Sequence, residues 1–424
     1  MNQMTPQKPK QNGDRPTERR HAPRPTEPPR CVGRIDDIPT EPVRRNGDTL
    51  AEEERHAGIT TVLFSVTVAA VALFACFLVA ILTVRTALPQ TPLGSDKQES
   101  EGETGGIPTD PGAILFTPSS TATLPRSDGS TVSIDGIDSR YAVLVDAQTG
   151  QILAEKDADD RFSPASMTKV MTLLVACENL KSGDLTEDLV VTEDIHNYVR
   201  NGKYEGMKVH WVDVGDGADL LEQLYGIGVV SAADCVMMVA TYICKKSTPA
   251  ENEAAFVELM NAEVARMGLQ NTHFDNPVGC ESEQTYSTAS DMAAIMMRAL
   301  ECDLIRTILS TPSRDFSAFG YSKNGDFNPS YPSHFYSTLF NANGSGRIAA
   351  YEKQYGAFGL ASLTLQGGKT GTLDETGGSG NLYSLVSFAT NADKSKTYIC
   401  VTGQTTVNAE VMKDAKTVYD TYAR

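Results

Sequence analysis

Residues 1–57 show no apolar period; Pro, Arg, Asp and Glu dominate and aromatic residues are few. A segment of that kind cannot bury enough surface to offset the cost of ordering it, so a disordered tail is expected. Residues 58–84 then form an uncharged run of Val, Ala, Leu, Phe and Thr. At about 1.5 Å per residue this run more than spans a bilayer core, which predicts one transmembrane helix. Arg44, Arg45 and Arg55 precede it, whereas Arg85 and then Lys97 follow, so the N-terminus is expected in the cytoplasm and the remainder outside. The length of the tail and Arg85 just upstream of Ala87 count against a cleaved signal peptide, and Leu73-Phe74-Ala75-Cys76 is a poor lipoprotein box.

Beyond the span, residues 85–130 are rich in Thr, Pro, Ser, Gly and acids without periodicity, the composition of a flexible linker. Periodic sequence begins with Tyr141–Asp146, a turn over Ala147–Gly150, and Gln151–Ala154, which together predict a β-hairpin. From Ser166 to about Leu300 the pattern is mostly helical, with apolar-periodic segments at Val170–Cys177, Leu220–Tyr242 and Ala254–Met267. Leu382–Ala389 and Thr397–Gly403 read as strands joined by an Asn-Ala-Asp-Lys turn. Asn408 then caps a helix with Val411, Ala415, Val418 and Tyr422 on one face. Strands at both ends with helices between them predict an α/β (α+β) domain over residues 131–424. An antiparallel sheet built from both ends would face a helical lobe, with a cleft between them.

Charge and cysteine content narrow the partners. The chain carries 37 basic and 54 acidic residues, and setting aside the twelve basic and ten acidic ones up to Arg85 leaves a net charge of −19 on residues 86–424. Nucleic-acid binding needs a basic footprint, so it is excluded. Cys177, Cys235, Cys244, Cys280, Cys302 and Cys400 lack zinc-type spacing; buried thiols are expected, with room for one or two disulfides. His196, His210, His273 and His334 are scattered without a His-Glu-x-x-His, so neither a metal nor another cofactor is expected.

Two short motifs carry chemistry. Ser166-Met167-Thr168-Lys169 places a hydroxyl and an amine one helical turn apart, where the amine can take the serine's proton. By itself this pattern is worth little, since roughly one match is expected by chance in a chain of this length. Lys369-Thr370-Gly371-Thr372, about two hundred residues later and followed by strand-like sequence, changes its weight. Ser-x-x-Lys and Lys-Thr-Gly are two of the three signatures of penicillin-binding proteins and class A β-lactamases. A glycine on an edge strand lets a substrate backbone approach, and the neighbouring hydroxyl and ammonium suit a carboxylate.

With these motifs the chain resembles the serine-type D-alanyl-D-alanine carboxypeptidases, the low-molecular-mass penicillin-binding proteins of peptidase family S11. Further matches are Val143–Ala147 with Thr149–Leu153, Pro164–Thr172, Thr272–Pro277 with Gly279, and Tyr286–Ala289 with Asp291–Ala293. The resemblance covers roughly residues 130–424 and implies the penicillin-binding/β-lactamase-like fold. It implies that Ser166 attacks the carbonyl between the two terminal D-alanines of a peptidoglycan stem peptide and that Lys169 takes its proton. It further implies an oxyanion hole from the Ser166 and Thr372 N–H groups. Lys369, Thr370, Gly371 and Thr372 would bind the substrate, and β-lactams would acylate Ser166. Family members often carry a second β-rich domain and a C-terminal anchor; a chain ending about fifty residues after Lys369 is expected to lack both, leaving the helix at 58–84 as the anchor.

The third family motif, Ser-x-Asn after a Leu-Leu-Tyr-Gly-like helix, departs from the pattern. Leu221, Leu224-Tyr225-Gly226 and Asp234 align, Ser231 is kept as a catalytic residue, and the asparagine is Ala233. Losing that amide removes a contact of about 1–3 kcal/mol, ten- to a hundredfold or more in rate. Ser231 read without the family is a helix cap. A class A β-lactamase needs a Glu-x-x-Leu-Asn loop, and Glu258-Leu259-Met260-Asn261 lies instead in a helical pattern. The rival of a different class is a weak or inactive penicillin-fold protein that binds wall peptides or organises a complex.

Overall fold

A computed structural model describes residues 106–119, 122–211, 213–321, 326–375 and 380–423. The tail and the span expected at 58–84 lie outside the described residues. Among the described residues no helix is long and apolar enough to cross a membrane.

The expected hairpin is β2 (Tyr141–Asp146) and β3 (Ile152–Lys156), preceded by β1 (Val132–Ser133). The late strands are β8 (Thr364–Glu375), β9 (Gly380–Thr390) and β10 (Thr397–Thr405). All six form one sheet in the order β1-β3-β2-β10-β9-β8, antiparallel except for β1 on β3. The two ends of the domain meet where β10 lies beside β2, with Val401 opposite Val143.

Alternation along each strand decides which core a side chain joins. Val143, Val145, Val386 and Val401 face the helical lobe, whereas Ala142, Leu144, Leu385 and Cys400 face a C-terminal helix, Asn408–Tyr422. A strand buried on both faces reads as an unbroken apolar run, which is why Tyr141–Asp146 was legible. Val411, Ala415 and Val418 of the terminal helix are buried on the sheet, as expected. Asn408 does not cap it: Val407 holds that position, and the Asn408 side chain turns to an arginine instead.

The lobe contains α1 (Lys169–Asn179), α2 (Glu193–Arg200), α3 (Leu220–Tyr225), α4 (Ala233–Cys244), α5 (Pro249–Met267), α6 (Ala289–Ala299) and α7 (Asp303–Leu309). Nearly all of α1 is buried, which matches its lack of a polar face. A Thr248–Glu251 capping box starts α5 and Gly268 at φ +75° ends it.

Three expectations change. The helical run 220–242 is broken: a π turn over Gly226–Val230 and Ser231 at φ +71° separate α3 from α4. Gly226 permits this crossing, since a Cβ there would lie 2.4 Å from Cys235 Sγ. The middle of the domain is also not purely helical. Short strands β4 (Asp188–Val190) and β5 (Gly217–Asp219) pair with a hairpin of β6 (Ser313–Tyr321) and β7 (Phe327–Tyr336) in a second sheet. Most of β7 is exposed, and Pro329 and Pro332 within it argue against a strand when the sequence is read alone. Finally, part of the stretch expected as linker packs on the domain. Leu115 and Phe116 are buried and their N–H groups donate to Leu180 and Cys177 carbonyls at 2.9 and 3.1 Å. α8 (Gly346–Tyr355) precedes β8.

Candidate active site

Ser166 sits on a 3-10 turn, Ala165–Thr168, that runs directly into α1. The preceding Ala165 has φ +49°, a strained conformation for a residue with a Cβ. Ser231, at the opposite wall, is the other non-glycine residue with positive φ here. Gly279 makes the first kink possible: a Cβ on it would lie 2.0 Å from the Ala165 carbonyl oxygen, and its own φ is +75°. Gly279→Ala is therefore expected to cost about 2–5 kcal/mol of stability through backbone strain and overpacking, read as a lower melting temperature.

Lys169 begins α1 fully buried, and its Nζ donates to Ser166 Oγ at 3.1 Å and to the Val278 carbonyl at 2.6 Å. The turn holding Val278 is rigid, because Asn276 Oδ1 accepts from Gly279 N at 2.7 Å and from Cys280 N at 2.9 Å. Burial above all, then the Lys208 charge, depresses Lys169 to about 7, against a partial upward pull from Asp234 and Cys235. A lysine near neutrality beside a serine hydroxyl is the arrangement a base-activated nucleophile needs.

Lys369 arrives on β8, the open edge of the sheet, as the spacing of Lys369-Thr370-Gly371-Thr372 predicted. Its Nζ donates to Ser231 Oγ at 2.9 Å and to the Thr370 carbonyl at 3.0 Å. Ser231 is thus a polar wall of the site and not a helix cap; Ala232 takes the cap position of α4. Gly371 passes the nucleophile turn closely, with 2.9 Å between its ideal Cβ position and the Pro164 carbonyl oxygen. Ser166, Lys169, Ser231, Lys369, Thr370, Gly371 and Thr372, predicted from three separate stretches, meet in one place.

The structure adds residues the motifs did not point to. Arg347, on α8 and buried, donates from Nη2 to the Gly371 carbonyl at 2.8 Å and to Thr372 Oγ1 at 2.6 Å. Its Nη1 donates to Asn408 Oδ1 at 2.6 Å and its guanidinium lies 4.6 Å from the Tyr383 ring centre. Thr338 meets Thr370 at 2.9 Å between hydroxyl oxygens. Arg347→Leu removes charge-assisted bonds that fix the strand, and acylation is expected to fall about ten- to a hundredfold, measured as a second-order labelling rate.

Cations crowd this cleft. Desolvation, reinforced by Lys169, Lys208 and Arg347, pushes Lys369 far below its ordinary value. The nearby carboxylate, Asp234, is occupied by backbone, accepting from Trp211 N at 2.8 Å, Cys235 N at 3.0 Å and His210 N at 3.1 Å. Basic groups thus outnumber free carboxylates here and disfavour one another's charged forms, and an incoming carboxylate would restore the charged form of Lys369.

Residues 128–329 match the family model described as D-alanyl-D-alanine carboxypeptidase, peptidase S11. Over that stretch, just under half of the chain, the protein is similar to peptidase S11. D-alanyl-D-alanine carboxypeptidase DacF of Bacillus subtilis is 30% identical over 198 residues, 47% of this chain and 47% of its own. DacA of Escherichia coli K12 is 34% identical over 160 residues, 38% of each chain. The chain thus spans less than half the length of these two curated relatives. The crystal structure of the Streptomyces K15 DD-transpeptidase superposes with a TM-score of 0.54 at 25% identity, covering 68% of this chain and 99% of that one.

The remaining candidates in the domain are structural. Glu258–Asn261 lies in α5, where the Asn261 amide donates to the Phe274 carbonyl at 2.7 Å. His210 packs edge-on against Trp211 and Phe335, and burial lowers it to about 4. Cys177, Cys235, Cys244, Cys302 and Cys400 are free thiols. Among the described residues one carboxylate group, Asp138, Glu410 and Asp414, clusters closely enough to hold a cation. Those acids serve the fold, since Asp414 accepts from Ser139 N and Oγ at 2.6 and 2.7 Å and Glu410 from Lys413 at 2.8 Å.

Proposed function

We propose that this protein is a membrane-anchored serine D-Ala-D-Ala carboxypeptidase that removes the terminal D-alanine from peptidoglycan stem peptides. The observation that carries the reading is the Lys169 amine at 3.1 Å from Ser166 Oγ, with its value lowered to about 7. Ser166 Oγ attacks the carbonyl carbon between the two D-alanines while its proton passes to Lys169. N–H groups of Ser166 and Thr372 hold the developing oxyanion, and Lys369, Thr370 and Thr372 hold the terminal carboxylate. Collapse breaks the C–N bond, the leaving amine takes the proton from Lys169, and an ester on Ser166 remains. Water then attacks the ester, gives its proton to Lys169, and releases the shortened peptide as Ser166 recovers its hydrogen.

A β-lactam, which resembles the terminal dipeptide, acylates the same oxygen. The run at 58–84 anchors the chain, with the N-terminus cytoplasmic and the peptidase S11 domain on the extracytoplasmic face. Ala233 favours a second reading, a weakly active or inert wall-binding protein that keeps the fold. Full-length protein incubated with labelled penicillin and with a peptide ending in D-Ala-D-Ala separates the two. An adduct on Ser166 and release of D-alanine are expected; neither appearing would leave the scaffolding reading.

A further inference from the structure

A base that serves a nucleophile is itself held by a third group, and the side chains around Lys169 do not supply one. Asp234 is occupied by three backbone N–H groups, and Ala233 brings a methyl where the family motif has an amide. Among the described residues the Lys169 amine has two hydrogen-bond partners, Ser166 Oγ at 3.1 Å and the Val278 carbonyl at 2.6 Å. The main-chain carbonyl is the closer one.

Two devices from opposite sides hold that carbonyl in place. From within the turn, buried Asn276 accepts at Oδ1 from Gly279 N at 2.7 Å and Cys280 N at 2.9 Å, while its Nδ2 donates to the Cys280 carbonyl at 3.0 Å and to Asp275 Oδ1 at 2.8 Å. One side chain thus closes the backbone around Val278. From the helix, Thr172 is buried and donates its hydroxyl to the Pro277 carbonyl at 2.7 Å. Lys169 and Thr172 lie three residues apart on one face of α1, so consecutive carbonyls of the turn are seated on consecutive side chains of that face.

Building on the acyl-transfer reading above, we propose that the Val278 carbonyl is the third member of the Ser166–Lys169 pair and that Asn276 is the positioning residue that aims it. An N–H of Lys169 given to this carbonyl fixes the tetrahedral nitrogen and leaves its lone pair for the Ser166 hydroxyl. Once the proton has moved, the ammonium keeps the same acceptor. The charges bearing on it are Lys208 and Lys369, which disfavour the ammonium, and Asp234 and Cys235, which favour it. A carbonyl dipole adds a neutral partner that favours the charged form by hydrogen bonding.

The test uses full-length protein and separates the dissociation constant of the penicillin complex from the acylation rate constant between pH 5.5 and 9.5. Asn276→Ala is expected to lower the rate constant about ten- to a hundredfold on the alkaline plateau and to leave the dissociation constant within about twofold, because the base is misaimed while the wall at Lys369 is untouched. The acid limb should move down by about one pH unit, since an ammonium without its acceptor gives up its proton more readily. Thr172→Val keeps the side-chain shape and unties the turn from the helix; the rate constant should fall about three- to tenfold with the limb moving the same way, and Thr172→Ser should restore both. Should Asn276→Ala not fold, the Thr172 pair decides alone. An unmoved acid limb, or an unchanged rate constant, overturns the proposal. If the unmodified protein takes no label, the acyl-transfer reading fails by itself. Titration of Lys169 by NMR in the unmodified protein and in Thr172→Val then decides the carbonyl separately, a downward move of the Lys169 midpoint supporting it and an unchanged midpoint overturning it.

Discussion

Ser166→Ala is expected to abolish covalent labelling by penicillin and the proposed release of D-alanine while leaving the melting temperature within about a degree of the unmodified protein. Loss is complete because the attacking oxygen itself is removed and, among the described residues, no other hydroxyl has Lys169 as a partner. Stability is spared because Ser166 is only half-buried, and Lys169 keeps its bond to the Val278 carbonyl at 2.6 Å. Intact-protein mass after incubation, with peptide mapping of any adduct, checks this. An adduct surviving on another residue, Ser231 included, would move the nucleophile away from Ser166.

The second large effect concerns Lys169. Its amine is free only above about 7, so acylation should rise as pH increases through that value and then level off. Lys169→Arg keeps charge and approximate length but holds its proton throughout, and acylation is expected to fall about a hundred- to ten-thousandfold at every accessible pH. The same depression has a stability signature with a fixed sign. From about 7 up to the ordinary lysine value of 10.5, the unfolded chain binds a proton that the native site has shed. Stability therefore rises with pH across this window. Denaturant unfolding at several pH values should show the slope, and Lys169→Met should reduce it. A flat acylation profile through pH 7 would remove Lys169 as the base.

Much of this was legible because the periodicities were strong and local. The strand pattern at Tyr141–Asp146 and at Leu382–Gly403, and the buried helix after Lys169, each follow from apolar spacing within one segment. The second sheet was not, because β7 is largely solvated and β4 and β5 are three residues each. Their pairing is decided by partners far away in the chain. The break at Gly226–Ser231 was hidden for a related reason: the sequence stays apolar across it, and the turn is imposed by close packing of Gly226 on Cys235.

The candidate site divides in the same way. Ser-x-x-Lys is a contact within one turn, and Lys-Thr-Gly-Thr is a property of one strand, so residue types at short spacing were enough to name Ser166, Lys169 and Lys369. Arg347 on Gly371 and Thr372 and Val278 as acceptor for Lys169 carry no local signature. An arginine in a helix looks like any solvated cation, and every residue has a carbonyl, until chain closure brings them beside the motifs. By itself the sequence determined the groups that the proposed chemistry uses and the two-ended sheet. Only the tertiary structure decided the electrostatics around those groups, because burial and the distances between charges exist only once the chain has folded.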